Sequence, residues 1–113
     1  MIETLIALAA TVTIQSCYDG DTCTTSTGEK VRLACIDTPE LRGPRAKPYA
    51  ATAAREFTRA LLVGETVSIR RITTDRYGRT VAQLITADGE TVGEKLVANG
   101  HAIVIPKYAH QCK

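Results

Sequence analysis

Four acidic residues stand in two short turns, and their spacing suits the binding of a hard cation. Asp19 and Asp21 flank Gly20, whereas Asp37 and Glu40 flank a Thr-Pro pair. Ions such as Ca²⁺ take oxygen ligands from carboxylates, carbonyls and water. Taken alone, each turn is better explained as an ordinary turn or strand end. If the two turns meet, however, their carboxylates repel one another unless a cation lies between them.

Two arginines complete a set of groups that could hydrolyse a phosphodiester. Arg32 lies five residues before Asp37, and Arg79 ends the segment DRYGR just before an expected strand. A guanidinium binds phosphate oxygens in bidentate fashion and stays charged throughout turnover. Two guanidiniums, one cation and one carboxylate base would position the phosphate, stabilise developing charge and activate water. Either arginine alone would be interpreted as a surface residue or a partner of a carboxylate.

Basic residues are concentrated in one part of this 113-residue chain, whose net charge is +2. From Arg32 to Arg79 there are ten Lys or Arg and five Asp or Glu, and the rest of the sequence holds four basic and seven acidic residues. Such a block suits a polyanionic partner, although an ordinary solvated surface explains it equally well. The length and an apolar fraction of 44% predict a single domain over residues 1–113.

Four cysteines are many for this length, and their even number favours disulfide bonds. They occupy positions 17, 23, 35 and 112, which allow three pairings. Disulfides form in oxidising compartments, so we expect a secreted or periplasmic protein. The alternative is a cytoplasmic protein with four buried, reduced cysteines. No Cys-x-x-Cys pair is present, which argues against a zinc site.

The first ten residues are compatible with two roles. Residues 5–10, LIALAA, resemble the end of a secretory signal, although Glu3 stands where such signals carry basic residues. The same stretch could instead form a first strand that continues into residues 11–14. No run of about 18 apolar residues is present, so we expect neither a transmembrane helix nor a membrane partner.

The elements that must position these groups follow from periodicity and turn residues. Residues 11–14, 22–25 and 31–36 favour three strands in an antiparallel meander, and residues 67–72 and 80–85 favour two more. A short extended segment is expected at residues 102–105. Residues 39–48 contain three prolines, one glycine and three basic residues, which predicts an exposed basic loop.

Two helices are expected between and after these strands. The first covers residues 49–63 and is followed by Gly64. The second opens at a Thr91–Glu94 capping box and ends at Asn99 and Gly100. Five strands with a helix between the third and the fourth fit an OB-type barrel. The apolar face of the first helix is expected to consist of Ala50, Ala53, Ala54, Phe57 and Leu61.

Four segments, in order, resemble signature segments of the staphylococcal nuclease (thermonuclease) family. They are YDGDT at residues 18–22, VRLACIDTPE at 31–40, DRYGR at 75–79 and LVANGHA at 96–102. The resemblance covers residues 12–108 with order and spacing kept. It implies an α+β, mostly β fold: a five-stranded OB-fold barrel with two helices. Because the sequence stops at Lys113, we expect the third, C-terminal helix of larger members to be lacking.

The resemblance also implies a calcium site built from the two acidic turns. Carboxylates at Asp21 and Asp37 and the carbonyl of Thr38 are implied to bind Ca²⁺ directly. Asp19 and Glu40 are implied to act through bound water.

Catalytic roles are implied for three residues. Arg32 and Arg79 would hold the scissile phosphate and stabilise its developing charge, and Glu40 would activate the attacking water. Substrate contacts are implied for Arg76, Tyr77 and Tyr108, the last beside the nucleotide base.

The activity implied is that of a monomeric, Ca²⁺-dependent endonuclease that cuts DNA and RNA and leaves 3′-phosphate ends. The alternative is a non-catalytic OB-fold module that binds nucleic acid. Because such modules typically lose acids or arginines that this chain keeps, and because aromatic residues are only 4% of the chain, we favour the enzyme. A secreted structural scaffold would explain only the cysteines. We also expect Cys112 to tie the tail to the barrel, since it follows the last expected element.

Overall fold

β-branched residues dominate the segments that form a closed five-stranded barrel. The computed structural model describes residues 10–113. Around the barrel the strand order is β1-β2-β3-β6-β5, and all neighbours are antiparallel except β3 and β6, which run parallel. The barrel strands are β1 (Thr11–Asp19), β2 (Thr22–Thr25), β3 (Lys30–Leu33), β5 (Thr66–Thr74) and β6 (Thr80–Ile85).

The third strand is shorter than the sequence predicts. The prediction of a single strand over residues 31–36 is wrong. Strand β3 ends at Leu33, and the chain turns through Cys35 with a φ of 71°. Such a positive φ is uncommon for a residue other than glycine and breaks the extended conformation. The chain then forms β4 (Ile36–Asp37), which pairs antiparallel with β7 (Ile103–Val104) in a separate two-stranded sheet.

Helix α1 (Pro48–Leu62) begins with a proline in its first turn, as helices commonly do. The buried face of α1 is shifted by about one residue from the predicted face, so the prediction that Ala50 and Ala53 are buried is wrong: both are exposed. The Thr58 hydroxyl donates a 2.7 Å hydrogen bond to the Gly20 carbonyl, which places a polar residue on the buried face. Hydrophobic periodicity does not anticipate that rotation. The buried residues are Ala51, Ala54, Thr58 and Leu62, with Phe57 and Leu61 partly buried.

Helix α2 (Val92–Ala98) has the expected capping box: the Thr91 side chain accepts from the backbone of Glu94, and the Glu94 carboxylate accepts from the backbone of Thr91. A 3₁₀-helix, Pro106–Cys112, follows β7 and was not predicted. The α+β barrel fold with two α-helices is therefore confirmed. The barrel core includes Ile14, Val31, Leu62, Leu84 and Leu96, each fully buried.

The cysteines form two disulfides, Cys17–Cys23 and Cys35–Cys112. The first joins facing residues of β1 and β2. The second joins the turn after β3 to the end of the 3₁₀-helix, which confirms that Cys112 ties the tail to the barrel. Two disulfides are typical of proteins from oxidising compartments.

The two roles considered for residues 1–10, a signal remnant or a first strand, concern residues of which the structure describes only Ala10. The Ala10 carbonyl accepts a 3.0 Å hydrogen bond from the Ile69 backbone nitrogen. Within residues 10–113, no helix is long and apolar enough to cross a membrane.

Candidate active site

The Asp19-Gly20-Asp21 turn lies against helix α1, and only glycine fits at its centre. A Cβ atom on Gly20 would come within 2.9 Å of the Ala54 Cβ and 3.0 Å of the Thr38 Cγ2. The hydrogen bond from Thr58 fixes the Gly20 carbonyl from the same side. Small residues on α1 therefore let the turn approach the helix, and the two carboxylates on either side of Gly20 take a fixed position.

Asp21 joins the two acidic turns. Its buried carboxylate accepts hydrogen bonds through Oδ2 from the Thr38 backbone nitrogen at 3.2 Å and from the Thr38 hydroxyl at 3.0 Å. The Thr22 hydroxyl donates to its Oδ1 at 3.1 Å. The turn between β1 and β2 thus meets the segment that follows β4, as a shared cation site requires.

Arg32 lies between the acidic turns and the broken end of β3. Its Nη1 donates to the carbonyls of Leu33 at 2.7 Å and Ile36 at 3.0 Å. Its Nη2 is 3.3 Å from Asp37 Oδ1 and 3.4 Å from Asp21 Oδ2. The turn at residues 34–35 therefore serves as a carbonyl cradle for this guanidinium, which faces both candidate metal ligands.

The pKa values of the acidic residues indicate an excess of negative charge. Burial, followed by repulsion from Asp21, raises the pKa of Asp19 to about 6. Burial and the same repulsion also raise the pKa of Asp37, and Glu40 adds to that effect. One guanidinium, that of Arg32, opposes these shifts only in part. A divalent cation would relieve the repulsion that remains.

The donor set fits a hard cation such as Ca²⁺. Asp21 and Asp37 offer carboxylate oxygens beside one another, and carbonyls and water are the usual remaining ligands of such ions. Over residues 10–113, no group of three or more His, Cys, Asp or Glu side chains is arranged to hold a metal. Most ligands of a cation here would therefore have to come from the backbone and from water.

Asp75 organises the loop between β5 and β6. Its Oδ1 accepts from the backbone nitrogens of Tyr77 at 2.9 Å and Arg79 at 3.0 Å, and its Oδ2 accepts from Arg79 Nε at 2.7 Å. Partial burial by itself would raise the pKa of Asp75. These hydrogen bonds outweigh it and lower the pKa below its ordinary value. Asp75 was not assigned a role from the sequence. The signal in the sequence that could have indicated this ion pair is the spacing of Asp75 four residues before Arg79 in a turn that contains Gly78.

The Tyr77 ring lies close to two guanidinium groups. The Cζ atoms of Arg76 and Arg79 lie 5.0 Å and 5.4 Å from the ring centroid, within the range of cation–π contacts. Arg76 also donates to the Tyr77 hydroxyl at 2.8 Å. Both guanidiniums are thereby held in one place on an exposed loop.

A cleft of ≈ 320 Å³ collects most of the residues expected to bind substrate. Tyr108 reaches it from the 3₁₀-helix, opposite the loop between β5 and β6. Its apolar floor includes Leu33 and Val81. We call it the nucleotide cleft, after the ligand that the family resemblance implies for it. The expected site residues that line it are Arg32, Arg76, Tyr77, Arg79 and Tyr108.

Glu40 does not line the nucleotide cleft. It lines a second cleft of ≈ 430 Å³ together with Asp37 and Thr38. Arg45 and Lys47 from the basic loop and His101 line the same cleft, which we call the loop cleft. The expected catalytic residues are thus divided between two clefts, and the Arg32–Asp37 ion pair lies where the two meet.

A closed five-stranded barrel with a helix between its third strand and the next barrel strand is the architecture of OB-fold proteins. A sequence model of the family described as Staphylococcal nuclease homologue matches residues 30–113. The chain belongs to this family.

Two similar curated proteins carry the name "Uncharacterized endonuclease", one from Escherichia coli O157:H7 and one from Escherichia coli. Each is 32% identical to the chain over 93 residues, which cover 80% of this chain. The same alignment covers 58% of each relative, so the chain spans less than two thirds of their length.

Proposed function

We propose that this protein is a Ca²⁺-dependent endonuclease that hydrolyses phosphodiester bonds of DNA and RNA and leaves 3′-phosphate and 5′-hydroxyl ends. The observation that carries this proposal is the position of Arg32. Its guanidinium lies within 3.4 Å of both acidic turns and lines the same cleft as Arg79. Membership of the family and the names of the two relatives point in the same direction.

The carboxylates of Asp21 and Asp37 and the carbonyl of Thr38 would hold the calcium ion, with Asp19 and Glu40 bound to it through water. When bound, Ca²⁺ supplies positive charge at the phosphate oxygens and near the attacking water. The unrelieved repulsion among the acidic residues supports this assignment, because it is a cost that a divalent cation removes.

The scissile phosphate lies between two guanidiniums in this proposal. Asp75 holds Arg79 through Nε, so its Nη groups point toward substrate. Arg32 and Arg79 bind non-bridging oxygens and stabilise the charge that develops as the fifth oxygen approaches phosphorus. Because Asp75 holds Arg79 in place before substrate arrives, this guanidinium needs little reorganisation in the transition state.

Glu40 accepts the proton of the attacking water. The water oxygen bonds to phosphorus and the bond from phosphorus to the 5′ oxygen breaks. That oxygen takes a proton from solvent water and leaves as a hydroxyl. The 3′ oxygen keeps the phosphate. Glu40 is exposed in the loop cleft beside Asp37, where solvent water has access to it.

Substrate contacts away from the reacting phosphate come from the nucleotide cleft. Arg76 and Tyr77 bind a neighbouring phosphate, and Tyr108 lies beside a base. Aromatic contact with a base and ionic contact with phosphates do not depend strongly on sequence. A nuclease with little sequence preference is therefore expected, acting as a monomer in a secreted or periplasmic setting.

The test is digestion of single-stranded DNA and of RNA by the purified protein, with Ca²⁺ and with a chelator. Arg32→Lys keeps the charge but loses bidentate binding, and we expect it to lower kcat at least a hundredfold. Arg55→Lys is the matched control, since Arg55 lines neither cleft and pairs with Glu56 on α1. Its activity should equal that of the wild type.

Analysis of the ends completes this test. Products that accept a 5′-phosphate from a kinase and resist 3′ extension until a phosphatase is added match the proposal. Cleavage that persists in chelator, or equally in Arg32→Lys, would refute it. Absence of cleavage with salt-sensitive binding of the same DNA would instead identify a non-catalytic binding module.

A further inference from the structure

Cys35 belongs to the turn that holds Arg32. It lies between Leu33 and Ile36, whose carbonyls accept hydrogen bonds from Arg32 Nη1. It is the single residue other than glycine with a positive φ in residues 10–113. The backbone conformation at Cys35 therefore determines whether the two carbonyls converge on one guanidinium nitrogen.

Cys112 ends the 3₁₀-helix that carries Tyr108. The disulfide joins it to Cys35 across 77 positions of the sequence. The Cys35 Sγ is 3.1 Å from the Tyr108 carbonyl oxygen, and the Ile105 backbone donates to the Cys35 carbonyl at 2.8 Å. The segment that carries Tyr108 is thus connected covalently to the turn that holds Arg32.

Little else holds the 3₁₀-helix in place. None of its residues is buried. Its polar contacts with the barrel are those of Arg70 with the Gln111 carbonyl and, at 3.5 Å, of Gln83 with the Cys112 carbonyl. Both hydrogen bonds go to backbone carbonyls at the end of the segment, next to the disulfide, and neither involves Tyr108. The covalent link is therefore the main constraint on where the segment lies.

We propose that the Cys35–Cys112 disulfide is a positioning element of the nucleotide cleft, which holds Tyr108 opposite the loop between β5 and β6 so that a nucleotide base fits between them. This proposal rests on the proposed function for the class of ligand. The second disulfide has no such role, because it joins β1 to β2, two strands already paired by hydrogen bonds.

The pair of disulfides offers a matched comparison. Cys35→Gly with Cys112→Ser removes the link, and glycine keeps the positive φ of the turn without strain. Cys17→Ala with Cys23→Ala removes the other link and leaves the 3₁₀-helix attached. Binding of a fluorescent single-stranded oligonucleotide is measured by anisotropy in chelator, where no cleavage is needed. Thermal melts establish that each variant is folded.

We expect the Kd of the Cys35→Gly, Cys112→Ser variant to rise about tenfold, because a factor of this size lies within the range that aromatic contact with a base contributes. The Cys17→Ala, Cys23→Ala variant should bind within twofold of the wild type. Tyr108→Ala should weaken binding about tenfold with the disulfide present and less than twofold without it. In the cleavage assay, KM should rise while kcat stays within threefold.

Three results would overturn this inference. The first is an unchanged Kd in the folded Cys35→Gly, Cys112→Ser variant, and the second is an equal effect of Tyr108→Ala in both backgrounds. The third, which needs no cysteine variant to fold, is an unchanged Kd for Tyr108→Ala in the native background. Wild-type binding without cleavage would reject the proposed enzyme but leave this comparison intact, whereas absence of wild-type binding would reject both.

Discussion

Asp75 binds Arg79 at two points, the backbone nitrogen through Oδ1 at 3.0 Å and Nε through Oδ2 at 2.7 Å. One carboxylate therefore fixes both the loop and the direction of the guanidinium that the loop carries. Among the described residues, the Nη groups of Arg79 form no hydrogen bond, and under the proposed function they bind the phosphate.

Asp75→Asn should lower kcat/KM about tenfold or more, because a hydrogen bond to a charged group contributes roughly 1.5–3 kcal/mol. The asparagine keeps an acceptor for the backbone nitrogens but loses its charge, so most of the loss should be in kcat. Asp88→Asn is the control, since Asp88 likewise accepts from a turn nitrogen and pairs with a cation, Lys95. Equal losses in both variants, or none in Asp75→Asn, would contradict a positioning role.

Gly20→Ala should destabilise the protein by roughly 1–3 kcal/mol, the usual cost of overpacking. The new Cβ would clash with Ala54 on α1 and with Thr38, so the acidic turn must move. Urea unfolding measures this loss. Gly93→Ala is the control: its Cβ would lie 3.6 Å from Ile36 in the first turn of α2, and we expect it to be neutral or slightly stabilising. Equal stability of the two variants would show that the turn tolerates the methyl group.

Thr38→Val should cost about 1–2 kcal/mol, since the buried Asp21 carboxylate loses the Thr38 hydroxyl as a donor. If the proposed calcium site is correct, the concentration of Ca²⁺ for half-maximal activity should also rise, because the Asp21 carboxylate is held by one hydrogen bond fewer. Thr13→Val serves for comparison, as the Thr13 hydroxyl pairs with Thr66 at an exposed position. It should cost less than about 0.5 kcal/mol. An effect of Thr38→Val no larger than this would contradict the prediction.

The folded protein should lose stability in acid, because the Glu29 carboxylate becomes protonated and its ion pair with Arg71 is lost. Hydrogen bonds from Arg71, ahead of the opposing effect of burial, lower its pKa from 4.5 to about 2. Because the folded pKa is below the unfolded one, the contribution is fully present above pH 4.5 and is lost as the pH falls toward 2. Arg71 is 46% exposed, so solvent screening limits this contribution to about 1 kcal/mol.

Glu29→Gln tests this assignment. Its melting temperature should be below that of the wild type at pH 6, and the difference should narrow as the pH approaches 2. A difference that is constant between pH 6 and pH 2.5 would show that the carboxylate charge is not the cause.

The sequence predicted the barrel because alternation and turn residues are local signals, and it predicted the capping box at Thr91 for the same reason. The strand predicted through Cys35 was wrong, because the positive φ of this residue follows from tertiary contacts, which the local sequence does not show. The rotation of α1 was missed because Thr58 is buried for its hydrogen bond to Gly20, which hydrophobic periodicity does not register. The residues expected to form the site came from residue types and from the family resemblance. Neither indicated their division between two clefts, since that depends on how β4 pairs with β7.

The parallel pairing of β3 with β6 has a consequence for how the protein folds. Val31 lies opposite Thr80 and Arg32 opposite Val81, so Arg32 and Arg79 come together across one ladder despite their separation in sequence. Such non-local pairing forms slowly, because the intervening chain must first lose its freedom. A chain that has made its local hairpins but has not yet closed the barrel holds the two arginines apart. The cleft that both arginines line is then completed at the last stage of folding. Under the proposed function, cleavage activity during refolding would report barrel closure itself.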